Sequence, residues 1–574
     1  MKMFMSLVLI FCGSVFACTT IIVTPGASED GSMFVTHSDD NELSDQRLVF
    51  VPAADHAPGS MRPVYYSADA LGEYPEYNSF SYPRMVCDER GETYNTPGFA
   101  QSIPIGEIPQ VEHTYAYFDG SYGIMNEFQL MIGECTCGTK IQLSPEPGKR
   151  IFYSAELSRV ALERCTSARE AVLLMGSLIE QYGFYGTGET LLVGDPEEAW
   201  VMEICCGTTD STSGLWVAKR VPDGDVFVEA NEFRIRDIIE DESEFLYSSN
   251  LFDETEALGW WDPSTGTMDW LRTVSEGEYN HPYYSLRRVW RVFSLVAPSQ
   301  NFSPWVEDGF TRDYPFSIKP DQPLAVRDVM RLHRDHYEGT QFDMSVGTAA
   351  GPFGYPYRFY GSSDGHGDVA NPDRVLEGAW ERPLSVDYCG YVYVNQGRSW
   401  LPDPIGGITW FGPDKPSETC FVPFYCGMSD LPDLYQTCNT GVYSRNSAWW
   451  AFNFVANWSA IKYRYMHEDI TEIQEAIEIA ELSRIADADI QALELFNTSG
   501  EEECISFITD VCSSNADSVV TEWWNFAERM IVKYDDGYIN HPGHMAHEVG
   551  YPESWLESSG WHNGPISYTN HQEN

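Results

Sequence analysis

Hydrophobic positions alternate with polar ones through most of the first half of the chain and move to helical spacing later. The β-branched run Thr19-Thr20-Ile21-Ile22-Val23 predicts a buried strand. Pro25-Gly26-Ala27-Ser28-Glu29-Asp30-Gly31 supplies turn residues, and an apolar run over 33–37 follows, so the chain is expected to fold back as a hairpin. That hairpin would bring Asp39 and Asp40 close to residue 18. A second strand pair is expected from about 115 to 133, with Asn126-Glu127 inside it. Leu157, Val160, Ala161, Leu162, Ala171, Leu174 and Leu178 share helical spacing and predict one helix over 155–182, stopped by Gly183. Further hairpins are expected around 195–198 and 222–225, the second opening a strand that ends at Ala230-Asn231. Residues 449–495 read as helical again, through Ile473, Ala476, Ile477, Ile479, Ala480 and Leu482. Strands clustered around helices predict an α+β layered fold, without internal repeats or a long low-complexity linker.

Composition enlarges this picture without redirecting it. The chain has 574 residues, 43% of them hydrophobic and 14% aromatic, enough to bury a substantial core. Lys and Arg number 35 against 86 Asp and Glu, a formal charge of −51. A phosphate backbone or an anionic membrane surface would be repelled, so nucleic acid is not an expected partner.

The start of the chain points to chemistry. Lys2, the apolar run Leu7-Val8-Leu9-Ile10-Phe11 and the ending Val15-Phe16-Ala17 have the layout of a secretory signal over residues 1–17. The apolar part is too short to span a bilayer, so no stable membrane insertion is expected. Cleavage would make Cys18 the first residue of a secreted or periplasmic protein, with a thiol and a free amine on one residue. Two other readings of Cys18 exist. A lipoprotein also begins with cysteine, and lipidation would make the chain an anchored binding protein, but Phe16 sits where lipoprotein signals favour a small residue. A buried or bonded cysteine without chemistry is the other. Of the 14 cysteines, setting aside Cys12 and Cys18 leaves an even number, compatible with up to six disulfides in an oxidising compartment. Cys135-Thr136-Cys137 and Cys205-Cys206 lack zinc-site spacing, so structural disulfides or buried thiols are expected instead of metal. His541, His544 and His547 recur every third residue, but Pro542 and Gly543 break a helical ligand face. No metal and no cofactor are expected.

Several blocks, taken in order, resemble a known family. They are Cys18-Thr19-Thr20-Ile21-Ile22-Val23 with Ala27-Ser28, Asp30-Gly31-Ser32; Gly123-Ile124-Met125-Asn126-Glu127; Trp216-Val217-Ala218-Lys219-Arg220-Val221-Pro222-Asp223; His336-Tyr337-Glu338-Gly339-Thr340 with Phe342-Asp343; Phe421-Val422-Pro423-Phe424-Tyr425; and Ser447-Ala448-Trp449-Trp450-Ala451-Phe452-Asn453. The chain resembles the C69 peptidases, the dipeptidase A or U34 family of cysteine-type N-terminal nucleophile (Ntn) hydrolases. The resemblance implies a four-layer αββα sandwich over residues 18–465, followed by a helical C-terminal extension over 466–574. It implies a dipeptidase acting on dipeptides or short peptides, with N-acyl amide hydrolysis as the alternative on the same scaffold. It does not fix an oligomeric state.

The same resemblance marks Cys18 as nucleophile, Asp40 as the carboxylate beside its amine, and Asn126 and Asn231 as residues that supply or orient oxyanion donors. Relatives often carry Arg where this chain has His37, and a histidine cannot be a permanent cation. If His37 faces the site, thiolate stabilisation is expected to depend more on pH. Arg291 in Arg288-Val289-Trp290-Arg291 resembles a later active-site arginine. The chemistry is also reasonable on its own terms: a free cysteine titrates near about 8.5 and an α-amine near about 7.7 to 8.0, so the amine can serve as the base for its own thiol.

Overall fold

The computed structural model describes residues 18–41, 45–66, 83–208, 214–278, 283–306, 308–358, 380–543 and 547–560. The expected signal over 1–17 and His544 lie outside the described residues. Two antiparallel sheets form the centre. The first has seven strands in the order Ser317–Ile318, Val226–Glu229, Thr20–Val23, Met33–Asp39, Tyr391–Gly397, Ile408–Pro413 and Val422–Tyr425. The second has eight: Phe245–Tyr247, Gly214–Arg220, Ala199–Cys206, Gly188–Gly194, Met131–Cys137, Gly123–Asn126, Tyr117–Asp119 and Val49–Val51.

The expected hairpin forms, pairing Ile22 with Val35 and Val23 with Phe34. The sheets lie face to face, with the Met131–Cys137 strand over Met33–Asp39. Helices Ser154–Arg164 and Ala168–Tyr182 cover the outer face of the eight-stranded sheet. Helices Leu286–Val296, Val326–His333, Ala448–Ser459, Tyr463–Thr498 and Glu501–Lys533 cover the seven-stranded one. The fold is the αββα sandwich with a helical C-terminal region. Both faces of the eight-stranded sheet are buried, and its side chains divide between two cores with the period of a strand. Leu192, Val201, Leu215 and Val217 point to the other sheet. Leu191, Val193, Trp200, Met202 and Trp216 point to the helices.

Each long helix expected from the sequence is two. The first breaks at Cys165-Thr166-Ser167, where Asn126 Nδ2 donates to the carbonyls of Leu162 and Cys165, both at 2.9 Å. The next helix is started by Asp195 Oδ2, which accepts from the Ala168 N–H at 2.8 Å. The second breaks between Ser459 and Tyr463. Lys462 there leaves helical geometry, with φ −145°, and its Nζ lies 4.3 Å from the Phe353 ring centroid. Beyond it Tyr463–Thr498 buries Met466, Ile470, Gln474, Glu478, Glu481, Ile485, Ala488 and Ala492, one stripe facing the Glu501–Lys533 helix and the Val422–Tyr425 strand. Apolar residues of that stripe, with Trp523 and Met530, belong to the same core as the two sheets.

The thirteen described cysteines, Cys18 to Cys512, are buried free thiols. The even count offered disulfides; the structure makes none among the described residues. Cys135 and Cys137 instead hydrogen-bond to groups of the facing sheet.

Close approach of the sheets requires glycine at 133: a Cβ there would lie 2.5 Å from the Thr36 carbonyl oxygen, a backbone atom that cannot rotate away. Gly133→Ala is expected to cost about 2 to 3 kcal/mol, the upper range for overpacking, measured as a lower midpoint in urea unfolding at unchanged slope.

Candidate active site

The Thr20–Val23 strand is central, between Val226–Glu229 and Met33–Asp39. Cys18 stands just before it, buried between the two sheets. Ser38 fixes this end of the chain. Its N–H donates to the Thr19 carbonyl, and its Oγ accepts from the Thr19 N–H, both at 3.1 Å.

Arg288 holds the same end from the other side. From the Leu286–Val296 helix, its Nη1 donates to the Cys18 carbonyl at 2.7 Å and to Thr19 Oγ1 at 3.0 Å. Nη2 donates to the Ala230 carbonyl at 3.0 Å and to Asn231 Oδ1 at 2.7 Å, and Nε to the Tyr284 carbonyl at 3.1 Å. Five donors meet five acceptors, which is the full capacity of a guanidinium. Asn231 takes the left-handed backbone with φ 66°, which Asn tolerates better than most residues. Its Nδ2 donates to the Thr136 carbonyl at 2.7 Å and its N–H to Cys135 Sγ at 3.0 Å.

The facing strand supplies the remaining wall. Met131–Cys137 pairs along its whole length with Gly188–Gly194, but its other edge meets Gly123–Asn126 only at Met131↔Met125. His37 Nδ1 donates to the Glu134 carbonyl there at 2.8 Å. A carbonyl only accepts, so the proton of the neutral ring sits on Nδ1. Burial lowers the His37 pKa to about 4. Cys18 Sγ donates to Glu134 Oε2 at 3.4 Å, and Cys135 Sγ donates to the Cys18 carbonyl at 3.4 Å. Burial first, then Glu134, Cys135, Asp40 and Asp39, raises the Cys18 pKa well above the usual thiol range. Asp40 accepts from Arg382 and from Ser38 Oγ, the latter at 3.3 Å, with Asp40 and Arg382 both fully buried. Burial raises the Asp40 carboxyl, and the Arg382 guanidinium opposes that shift.

The structure thus gathers Cys18, Asp40, Asn231 and His37 and leaves two expected residues outside. Asn126 closes a turn. Its Oδ1 accepts from the N–H groups of Phe128 and Leu130 at 3.0 Å and its Nδ2 caps the helix end described above, so nothing on that side chain is left for an oxyanion. Arg291 pairs with Asp335 at 2.7 and 2.6 Å and donates to the Glu338 carbonyl. Arg288, one turn earlier, touches Cys18. The helical pattern contained that signal: Arg288 lies in line with buried Val292 and Val296, whereas Arg291 lies in line with exposed Leu295. His37 does face the site, but as a neutral ring near pH 7 it supplies no cation. Glu134, Cys135 and Arg382 carried no sequence signal of their own.

Cys18 Sγ, a ring nitrogen of His37 and a Glu134 carboxylate oxygen lie within 4.8 Å of one another, the one such cluster among the described residues. Its sulfur, imidazole and carboxylate donors suit zinc, yet a cation there would occupy the sulfur itself. Chemically, the arrangement offers a fixed, buried sulfur with the Glu134 carboxyl and a neutral histidine against it, Arg288 on its carbonyl and the Asp40–Arg382 pair beyond Ser38.

Comparison with known proteins gives a family. The profile of Peptidase family C69 matches residues 17–476. A probable dipeptidase of Salmonella dublin is 26% identical over 425 residues, covering 72% of this chain and 82% of that relative. Dipeptidase A of Lactobacillus helveticus is 22% identical over 499 residues, covering 84% and 90%. Penicillin V acylase from Agrobacterium tumefaciens aligns over 71% of this chain and 86% of its own at 12% identity, with a TM-score of 0.27, too low to add to the fold seen in the two sheets.

The His37 environment gives a pH test. Unfolded, the ring titrates near its usual value of 6.5; folded, at about 4. Between these values the unfolded chain binds the extra proton, so this contribution to stability is complete above pH 6.5 and declines as the pH falls toward 4. Over that interval wild type should lose about 3 kcal/mol relative to His37→Gln, from roughly 1.4 kcal/mol per pK unit. Urea unfolding of both proteins across pH 4.5 to 7 measures the difference, which is expected to shift steadily with pH.

Proposed function

The chain belongs to peptidase family C69, and from that premise we propose that it is an exported dipeptidase whose nucleophile is Cys18 after removal of residues 1–17. The observation that carries the reading is the lock on Cys18: its carbonyl is gripped by Arg288 and Cys135, while its Sγ meets Glu134 of the facing sheet. Holding the main chain this firmly defines where the sulfur meets a carbonyl carbon, and such positioning contributes much of a catalytic barrier reduction. Relatives named as dipeptidases support peptides as the substrate class.

The resting sulfur is a thiol, since burial and neighbouring carboxylates disfavour the thiolate. Its proton therefore leaves as attack occurs, and the free α-amine of Cys18 is the base at hand. Asp40 reaches this end through Ser38, whose Oγ links its carboxylate to the Thr19 N–H. This link supports the reading that Asp40 orients the amine. The sulfur adds to the amide carbonyl, the tetrahedral oxyanion collapses to a thioester, and the amine product leaves with the transferred proton. Water, deprotonated by the same α-amine, then releases the acyl residue and restores the thiol. Arg288 acts on the developing oxyanion through its charge, because its N–H groups already have acceptors. The Asn231 amide is held in the same web.

Cys18→Ala is expected to lower dipeptide turnover by at least about 10³-fold, and Cys18→Ser by at least about 10²-fold, at unchanged thermal stability. Mass spectrometry of the exported protein should find Cys18 as an unmodified first residue. An active enzyme retaining residues 1–17, or a lipidated Cys18, removes the amine base and with it this reading.

A further inference from the structure

Cys18 has two neighbours that, together with it, make a set of metal donors. His37 Nδ1 donates to the Glu134 carbonyl at 2.8 Å, which leaves the lone pair of the neutral ring on Nε2. Nε2 is buried and meets no hydrogen-bond partner among the described residues. The whole residue has no exposed surface. A histidine with one nitrogen tied to a main-chain carbonyl and the other left bare has the arrangement of a metal ligand, because the carbonyl fixes both the tautomer and the ring. Cys18 Sγ, a His37 ring nitrogen and a Glu134 carboxylate oxygen lie within 4.8 Å of one another.

We propose that these groups bind a thiophilic divalent cation of the zinc class through Cys18 Sγ, His37 Nε2 and the Glu134 carboxylate, and that the loaded protein is inactive. The binding stands without the reading of Cys18 as nucleophile; the inhibition rests on it. The distances agree. Zinc holds sulfur at about 2.3 Å and nitrogen or oxygen at about 2.0 to 2.2 Å in a tetrahedron, which sets neighbouring donors about 3.4 to 3.6 Å apart. Cys18 Sγ and Glu134 Oε2 stand 3.4 Å apart. The ion takes the place of the thiol proton between them: the S–H bond breaks, the S–Zn bond forms, and the proton passes to solvent. Glu134 Oε1 keeps its bond from Thr136 Oγ1 at 3.0 Å. Once residues 1–17 are removed, the α-amine of Cys18 is the fourth donor, closing a small chelate ring through Cα and Cβ.

Charge and softness select the ion. Thiolate and imidazole suit zinc, whereas magnesium and calcium take oxygen donors. A thiolate beside a buried carboxylate is costly alone, and a divalent cation between the two removes that cost. A zinc closed in by four protein donors has no open position for water or substrate, so the site blocks and does not catalyse. The block is reversible, because the metal occupies the sulfur and amine that the reaction uses and a chelator frees both.

The test uses the protein beginning at Cys18, with Co²⁺ as the spectroscopic stand-in for Zn²⁺. One equivalent of Co²⁺ should give the near-ultraviolet absorption of a sulfur–cobalt bond and the strong visible bands of a tetrahedral ion, and Zn²⁺ should displace both. Cys18→Ala should lose the sulfur–cobalt absorption. His37→Gln and Glu134→Gln should each weaken Zn²⁺ binding, read by competition with a chromophoric chelator, by at least about 10-fold, the smallest loss seen even for groups one shell further out. Zn²⁺ should stop hydrolysis of the dipeptide Ala-Leu over the concentrations at which it binds, EDTA should restore it, and Mg²⁺ should not inhibit. Wild type without the sulfur–cobalt absorption would overturn the proposal without any variant. So would unchanged Zn²⁺ affinity in His37→Gln and Glu134→Gln, shown to be folded by their melting curves, since the metal would then sit on a lone thiol. Zinc-loaded wild type that still turns over Ala-Leu, with Cys18→Ala inactive, would overturn the block. Failure of the underlying reading looks different: the cobalt spectrum would stand, and Cys18→Ala would hydrolyse Ala-Leu at the wild-type rate.

Discussion

The site depends on one buried cation. The Arg288 guanidinium, with no exposed surface, ties together the first residues of the central strand, the end of the neighbouring strand at Ala230-Asn231, and its own helix. Taking an arginine out of water costs several kcal/mol, and the cost is tolerable here because each of its N–H groups finds an oxygen. Those oxygens depend on it in return. Without it the carbonyls of Cys18 and Ala230 would be buried with fewer donors, at about 1 to 3 kcal/mol each. Two chain segments more than two hundred residues apart are thus held in one geometry by one side chain, and that geometry fixes where the Cys18 sulfur stands.

The second constraint is the unequal pairing of the Met131–Cys137 strand. One edge is fully bonded to Gly188–Gly194, while the other loses its partner after Met131. The released edge is what allows His37 to bind the Glu134 carbonyl and the facing sheet to bring Cys135 and Glu134 against Cys18. The close approach of the sheets, made possible by Gly133 against Thr36, brings this edge to Cys18. Packing in the sandwich and assembly of the site are therefore the same event. Asn126 serves both indirectly: it ends the short strand that leaves the edge open, and it caps the helix covering that strand.

Much of this was legible in the sequence, and the exceptions have physical causes. The opening hairpin, the helical regions and the sandwich follow from periodicity and from resemblance, because patterning reports which faces are buried. Helix ends were less visible. The break at 165–167 is imposed by Asn126 and Asp195, distant side chains that take over the backbone bonds of the helix. Cys18, His37, Asp40 and Asn231 were singled out by the family resemblance, and they lie in or just beside strands whose positions the periodicity made clear. Asn126 belongs to a family-like block, but its amide is spent on the N–H groups of Phe128 and Leu130 and on the carbonyls of Leu162 and Cys165, and a structural role leaves the same sequence trace as a catalytic one. The choice between Arg288 and Arg291 is a question of helical phase, and one turn of helix separates a residue facing the strands from one facing Asp335. Glu134 was hidden within an apolar run, since no linear pattern shows which strand residue will meet Cys18, 116 positions away.

The charges around Cys18 also bear on how the site can be selective within so acidic a chain. A formal charge of −51 gives every approaching anion an unfavourable field and every cation a favourable one, irrespective of fine recognition. A dipeptide is a zwitterion, so the long-range field acts on it by orienting it and not by changing its net attraction. Its ammonium end is drawn inward and its carboxylate end outward. Inside, Arg382 is paired with Asp40, whereas Arg288 is surrounded by neutral oxygens and keeps its positive charge beside the Cys18 carbonyl. The local field at Cys18 is therefore set by Arg288 and Glu134 together, and the acidity of the chain as a whole does not decide which end of a bound peptide lies nearest the sulfur.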